Sequence, residues 1–411
     1  MSEWKTVRLG DLCSKIGSGA TPAGGKSAYC DEGISLIRSQ NVLDMSFSVD
    51  GLAHINDTQA KKLDGVTVRE GDVLLNITGD SVARCCSVPS YVLPARVNQH
   101  VCIIRASTAS PKYIEYYLIS IKQHLLTLAA AGATRNALTK ETIQNLEIQL
   151  PDLPTQRRIA AVLGALDDKI ENNRKICENL EAQAQALFKS WFVDFEPWGG
   201  KMPEEWKKGK LGDLAECNPF RRLPKGVDAR CVEMADLVTN GAFPSGWSTK
   251  KYTGGMKFRN GDTIVARITP CFENGKAAFI NFLEEDEVGF GSTEYVVISS
   301  CSAAPGGLFY SLVKSPDFIT YAKSRMVGSS GRQRFNAEDV ASFPLTIAPN
   351  NVYLELAPYY ESIMEKIAQC GKESRALAEM RDALLPQLMS GRLRVDATAC
   401  QGEIDVGKVE I

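Results

Sequence analysis

LGALDDKIENNRKICENLEAQAQALFKSWF occupies residues 163–192, in the middle of a chain of 411 residues. Its apolar and small positions form a narrow seam. Beginning just upstream, the seam runs Ile159, Leu163, Leu166, Ile170, Cys177, Leu180, Ala184, Leu187 and Trp191, with Asn173 filling one position. The steps alternate between four and three. That period of 3.5 predicts a helix that supercoils left-handedly with another helix rather than one lying on a globular surface. Pro151 and Pro154 mark its start, and Glu196-Pro197-Trp198-Gly199-Gly200 its stop. At 1.5 Å per residue the seam spans about 50 Å.

The same pattern returns near the other end of the chain. Leu356, Tyr360, Ile363, Ile367, Cys370, Ser374, Leu377, Leu384 and Leu388 repeat it, with Arg381 interrupting, each 197 residues after its counterpart. Two such helices, each too narrow in its apolar stripe to be stable alone, are expected to bury each other's seams. Leu163, Leu166, Ile170, Leu180 and Leu187 on the first, and Tyr360, Ile363, Ile367, Leu377 and Leu384 on the second, are the expected pairing residues. Polar intrusions at Asn173, Ser374 and Arg381 would fix register. The alternative is a seam shared between two chains, giving a dimerised structural protein without sequence-specific DNA binding.

The repeat extends beyond the helices. WKTVRLGDL (4–12) returns as WKKGKLGDL (206–214), and REGDVLLNITGD (69–80) as RNGDTIVARITP (259–270). VNQHVCII (97–104) resembles STEYVVIS (292–299), and residues 132–150 resemble 328–347. The matches are collinear, with an offset near 200 throughout. The chain therefore reads as a tandem duplication of one α+β unit plus one long helix, with an internal pseudo-twofold relation. The divisions are 1–150, 151–195, 196–348, 349–393 and a tail, 394–411.

Within each unit, β-like runs are expected at 35–37, 73–77, 101–104, 263–268 and 295–298, and helices at 112–130 and 307–325. Gly71-Asp72 and Gly261-Asp262 supply turns before strands. The class is α+β without regular βαβ alternation.

Composition limits the function. No apolar run reaches eighteen residues, so no membrane span is expected. The start, MSEWKTVRLGDL, has no apolar h-region, and a cytoplasmic chain with reduced thiols is expected. The 12 cysteines and three histidines lack metal-ligand spacing. The net charge of −2 hides a pattern: residues 1–150 carry 15 Lys and Arg against 14 Asp and Glu, and residues 201–345 carry 19 against 17. The helical stretches are slightly acidic. A polyanion partner would need the basic residues of the globular units gathered on one face. No Walker motif, G-x-S-x-G, H-E-x-x-H or dinucleotide fingerprint is present in its required context. The NPF at residues 218–220 lacks the second proline of an adenine-methyltransferase signature and sits outside any cofactor context.

The loops are rich in hydrogen-bonding side chains. Arg38, Gln40 and Asn41 follow one strand; Thr78 and Arg84 follow another; Asn98 and Gln99 enter a third; Thr134, Arg135 and Asn136 follow a helix. The second unit offers Arg267, Thr269, Ser292, Thr293, Ser329, Arg332, Gln333 and Arg334. Arg, Asn and Gln can make bidentate contacts to guanine or adenine edges, and Ser, Thr and loop amides suit phosphate oxygens. These are the candidate DNA-binding residues. For each one, ordinary turn chemistry is the competing reading.

Several segments together resemble the specificity subunits of type I restriction–modification systems. The W-x-x-x-x-L-G-D-L entry and GDVLLNITG (71–79) resemble that family's first target-recognition domain. LPDLPTQRRIAAVLGALDDKIENNRKICENLEAQAQALFKSWFVDF (150–195) is similar to its central conserved helix, and LLPQLMSGRLRV (384–395) to the end of its distal one. The resemblance implies two target-recognition domains held apart by an antiparallel helix pair, each reading one half of a split DNA target. It implies that the helices set the spacer and dock two modification subunits, which bind S-adenosylmethionine and methylate adenine. Restriction subunits that translocate DNA with ATP and Mg complete the assembly. This chain would be non-catalytic and hold no cofactor of its own. The sequence departs from the family pattern at IAPNNVYLELA (347–357), which replaces a proline- and glutamine-rich helix start.

Overall fold

A computed structural model of the chain describes residues 4–130, 136–329 and 331–395. They form two compact units. One contains the residues up to Asp167 together with those from Glu379 onward, and the other is Asp168–Ala378. The expected long helices run Leu153–Phe192 and Asn350–Met389. Neither stands apart as a spacer domain, because each is divided between the two units.

Both units are built on the same frame. In the first, Lys5–Arg8 pairs antiparallel with Glu147–Leu150, tying the start of the unit to the strand that precedes the long helix. In the second, Lys207–Lys210 pairs likewise with Pro344–Ile347. The LGDL turns follow, and Leu9, Leu12, Leu211 and Leu214 bury their side chains. A four-stranded sheet comes next, ordered Cys13–Ser18, Val101–Ala106, Val73–Asn76, Cys85–Ser87 in the first unit. Its equivalent is ordered Ala215–Cys217, Tyr295–Ser300, Thr263–Ala266, Ala277–Phe279. Val73–Asn76 and Thr263–Ala266 are buried at every position, as a strand covered on both faces must be.

Each unit also carries a second sheet that periodicity did not reveal. Ile34–Ile37 runs parallel to Ala95–Val97, and Asp228–Val232 parallel to Gly289–Gly291. Of these strands only the run at 35–37 is expected from the sequence; they are short and lie far apart in the chain, so no local pattern announces their pairing. The helices expected at 112–130 and 307–325 are each broken in two: Pro111–Ser120 and Lys122–Ala130, then Gly306–Lys314 and Pro316–Arg325. The second break has a local cause. Ser315 caps the new helix through the Phe318 N–H, and Pro316 sits at its first turn.

The Gly-Asp turns hold more than turn chemistry. Asp72 and Asp262 are buried, and each carboxylate accepts the backbone N–H three residues earlier, from Arg69 and Arg259, at 2.7 Å. Each is neutralised by a guanidinium, but from different places in the two units. Arg105 on the adjacent strand reaches Asp72 through Nε and Nη2 at 2.7 Å, whereas Arg221, from the loop after Ala215–Cys217, reaches Asp262 at 2.6 Å. The duplicated anion has acquired its cation twice. A buried carboxylate without one would carry a large desolvation cost.

The two long helices pack against each other within the chain, running antiparallel in each unit. In the second unit, Asn173 Nδ2 reaches the Cys370 carbonyl (3.5 Å), Glu373 Oε2 (2.8 Å) and Ser374 Oγ (3.3 Å). Cys177 Sγ faces the Ile367 carbonyl at 3.8 Å, and Tyr360 donates its hydroxyl to the Ala184 carbonyl at 3.1 Å. Asn173 thus sits opposite Cys370, its own counterpart 197 residues on. In the first unit Arg381 does not interrupt the seam but closes it, donating to Asp167 at 2.9 Å. Each helix thus covers part of the other's seam within the chain.

The pairing list needs correction. Leu163, Leu166, Tyr360 and Ile367 are buried, but Ile170, Leu180, Leu187, Ile363, Leu377 and Leu384 are only partly so. Met364 and Leu385, outside the expected seam, are fully packed. A strict 3.5 repeat describes a helix with one neighbour. Here each helix also presses on a globular unit, so its buried face widens beyond the seam. Met364 and Tyr360 lie against Gly307, where a β-carbon would stand 2.8 Å and 3.1 Å from them.

Candidate nucleic-acid interface

In the first unit the ends of three strands and the segment after Lys122–Ala130 converge on an open cleft of about 890 Å³. Gln40, Thr78, Arg84 and Asn136 line it together with Ser39, Asp80, Ser81 and His100. Four of the sequence candidates, scattered over almost a hundred residues, therefore share one concave surface. At its floor Thr78 Oγ1 lies 2.6 Å from His100 Nδ1, and Gln99 Nε2 lies 3.2 Å from His100 Nε2. Arg84 is half-buried, and its guanidinium makes no hydrogen bond or ion pair among the described residues.

Other candidates serve the fold. Asn41 is fully buried; its side chain accepts the Arg38 N–H (3.0 Å) and donates to the Ser48 carbonyl (2.9 Å), so it closes a turn and cannot reach a base. Arg38 donates to the Gly51 carbonyl and lies 5.4 Å from the Tyr29 ring, while Gln40, which lines the cleft, also holds its Nε2 3.3 Å from the Asp50 carbonyl. Asn98 is buried and accepts the His100 N–H through its side chain (3.1 Å), a local Asx turn. Thr134 and Arg135 lie outside the described residues.

The second unit presents the equivalent place with different chemistry. Glu294 accepts from Arg334 Nε and Nη2 at 2.8–3.0 Å and from Arg267 Nε at 3.2 Å. Arg334, with Arg267 behind it, holds the Glu294 carboxyl below the usual glutamate range, and Glu294 in turn raises Arg334. Thr269 is buried and accepts the Gln333 N–H through its hydroxyl (3.0 Å), which removes it from the candidate readers. Ser292 accepts the Glu294 N–H (3.1 Å). Thr293, Ser329 and Arg332 are exposed, and Gln333 is half-buried.

Backbone hydrogen bonds show how the two places correspond. The N–H of Ile77 donates to His100 and that of Arg267 to Glu294; Leu138 donates to Ile77 and Phe335 to Arg267. Asn98 and Ser292 cap the same loop, one with an amide and one with a hydroxyl. His100 and Glu294 are therefore equivalent, 194 residues apart. The sequence match of 97–104 to 292–299 was out by one residue, which would have matched His100 to buried Tyr295. A one-residue slip in a strand reverses the face of every side chain. That slip hides the equivalence of His100 and Glu294 in the sequence. The signal that could have found them is the polar residue two positions before each, which caps the loop.

Among the described residues, no group of three or more His, Cys, Asp or Glu could hold a metal ion, and no helix is long and apolar enough to cross a membrane. Residues 1–182 match the family model described as the type I restriction modification DNA specificity domain. The chain is 25% identical to the type I restriction enzyme MjaIX specificity subunit of Methanocaldococcus jannaschii, with 96% of this chain and 94% of that one covered. It is 24% identical to the HindI specificity subunit of Haemophilus influenzae, covering 96% and 100%. A crystal structure of a type I system S subunit from M. genitalium shares the fold, with a TM-score of 0.57 at 15% identity over 94% of this chain and 96% of that one.

Proposed function

We propose that this chain, a relative of type I restriction–modification specificity subunits, is the DNA-reading subunit of such a complex. In this reading each unit takes one part of a bipartite target in duplex DNA, and the long helices set the spacer between the parts. The observation that carries it is the duplicated site: one backbone frame, in which equivalent positions hold Ile77, His100 and Ala137 in one unit and the Arg267, Glu294 and Arg334 cluster in the other. A frame kept constant while its polar side chains differ suits two readers of different sequences. Contacts from arginines and loop amides to phosphates would position the duplex, and side chains in the clefts would read base edges.

The chain would act without catalysing a reaction. It would scaffold two modification subunits, which hold S-adenosylmethionine, and restriction subunits, which use ATP and Mg, in the cytoplasm. Footprinting of the complex with its modification subunits tests this. The expected result is two protected stretches separated by an indifferent spacer, and one contiguous protected site would overturn it.

A further inference from the structure

The second unit's charged cluster is built asymmetrically. Arg334 is fully engaged: Nε and Nη2 go to Glu294, and Nη1 to the Arg332 carbonyl at 3.0 Å. Arg267 gives Glu294 only its Nε, and its two terminal nitrogens have no hydrogen-bond partner among the described residues. Its side chain is 31% exposed, so it is held at the base and open at the tip. Both Glu294 oxygens already accept from guanidinium donors, so the carboxylate is held by the arginines beside it. Two cations on one anion leave the cluster with a net positive charge, which suits an approaching phosphate backbone.

A guanidinium gripped through Nε and free at both Nη atoms presents two parallel donors at fixed spacing. That pattern is complementary to O6 and N7 of guanine on the major-groove edge, and adenine offers no acceptor at the position of O6. We infer that Arg267 reads a guanine in the part of the target taken by the second unit, with Glu294 as its positioning residue and Arg334 holding the Glu294 carboxylate in place. The inference rests on the DNA-reading function proposed above and adds the base class. In the first unit the position equivalent to Arg267 is Ile77, which has no side-chain donor. That unit's Thr78, His100 and Asn136 offer hydroxyl, imidazole and amide groups.

The test is selection of bound duplexes from a randomised pool by the complex of the full chain with its modification subunits, followed by sequencing. The wild type should require a G·C pair at one position in one part of the target. Arg267→Ala should relax that position alone, by about 5- to 150-fold in discrimination, and leave every other position unchanged. Glu294→Gln should weaken the preference at the same position by a smaller factor, because the fork loses its anchor but keeps its donors. Arg267→Lys, which keeps the charge without the fork, should also lose discrimination while retaining affinity; it serves equally if the alanine variant folds poorly. Uniform loss at all positions, or no change, in the arginine variants would overturn the assignment. A wild-type complex that selects no bipartite sequence would instead overturn the function on which it rests.

Discussion

Gly371 and Gly164 both lie inside the long helices, where replacing glycine by alanine ordinarily stabilises by about 1 kcal/mol. The structure predicts opposite signs for them. A β-carbon on Gly164 would meet only Tyr116 Oη at 3.9 Å, an ordinary contact. One on Gly371 would stand 2.2, 2.7 and 2.8 Å from three ring atoms of Phe243. Carbon atoms pack at about 3.5–4.0 Å, so the ring would have to retreat by more than ~1 Å. It has little room. Phe243 meets Trp247 and Phe282 edge-on at 6.0 and 6.1 Å, those two stack at 4.1 Å, and the Arg375 guanidinium sits 4.3 Å from the Trp247 ring. The adjacent Ala242 N–H is held by Glu181 Oε1 at 2.6 Å. Overpacking of about 2–3 kcal/mol against a helix gain of about 1 leaves Gly371→Ala destabilised by about 1–2 kcal/mol. For a unit of this size that lowers Tm by roughly 3–6 °C, whereas Gly164→Ala should raise it by roughly 1–4 °C in the other unit. Thermal unfolding followed by tryptophan emission resolves the first, because Trp191, Trp198, Trp206 and Trp247 all belong to the second unit. Hydrogen exchange resolves the second. In a Phe243→Ala background, Gly371→Ala should turn stabilising. A Gly371→Ala variant that raises the second unit's Tm in the wild-type background would refute the packing argument.

Arg381→Ala should cost the first unit about 2–4 kcal/mol, because it leaves Asp167 charged at 13% exposure; Asp167→Leu with Arg381→Met should recover most of the loss, read by exchange protection in Pro111–Ser120. Glu294→Gln should destabilise the second unit by about 1 kcal/mol at neutral pH. Since the folded carboxyl lies below its ordinary value, its contribution is present above pH ~4.3 and is lost as pH falls through the folded value. The gap between wild type and variant should therefore close as pH falls below about 4.3 in denaturant titrations, and a gap that widens on acidification would contradict the assignment.

The long helices, the duplication and the α+β class were legible in the sequence because they rest on periodic patterns that hold wherever the chain goes. The 3.5 spacing of Leu163, Leu166 and Ile170, and its echo at Tyr360, Ile363 and Ile367, needs no knowledge of distant neighbours. The candidate interface was legible in part. Gln40, Thr78, Arg84 and Asn136 could be named, but nothing local showed that they share a cleft, or that Asn41 and Thr269 turn inward.

Tertiary structure alone decided which residues meet across long separations. The equivalence of His100 and Glu294 is written in backbone hydrogen bonds, and a strand's pattern reads almost equally well one residue out of step. Asp72 and Asp262 recur in sequence, yet their cations come from Arg105 on a strand and Arg221 in a loop, because a buried charge constrains only that some guanidinium arrive. Likewise Gly371 reads as a weak point in a helix until Phe243 is found resting on it. Periodicity determines the long helices and their pairing. Which polar group faces which depends on contacts between residues far apart in the chain, and only the fold specifies them.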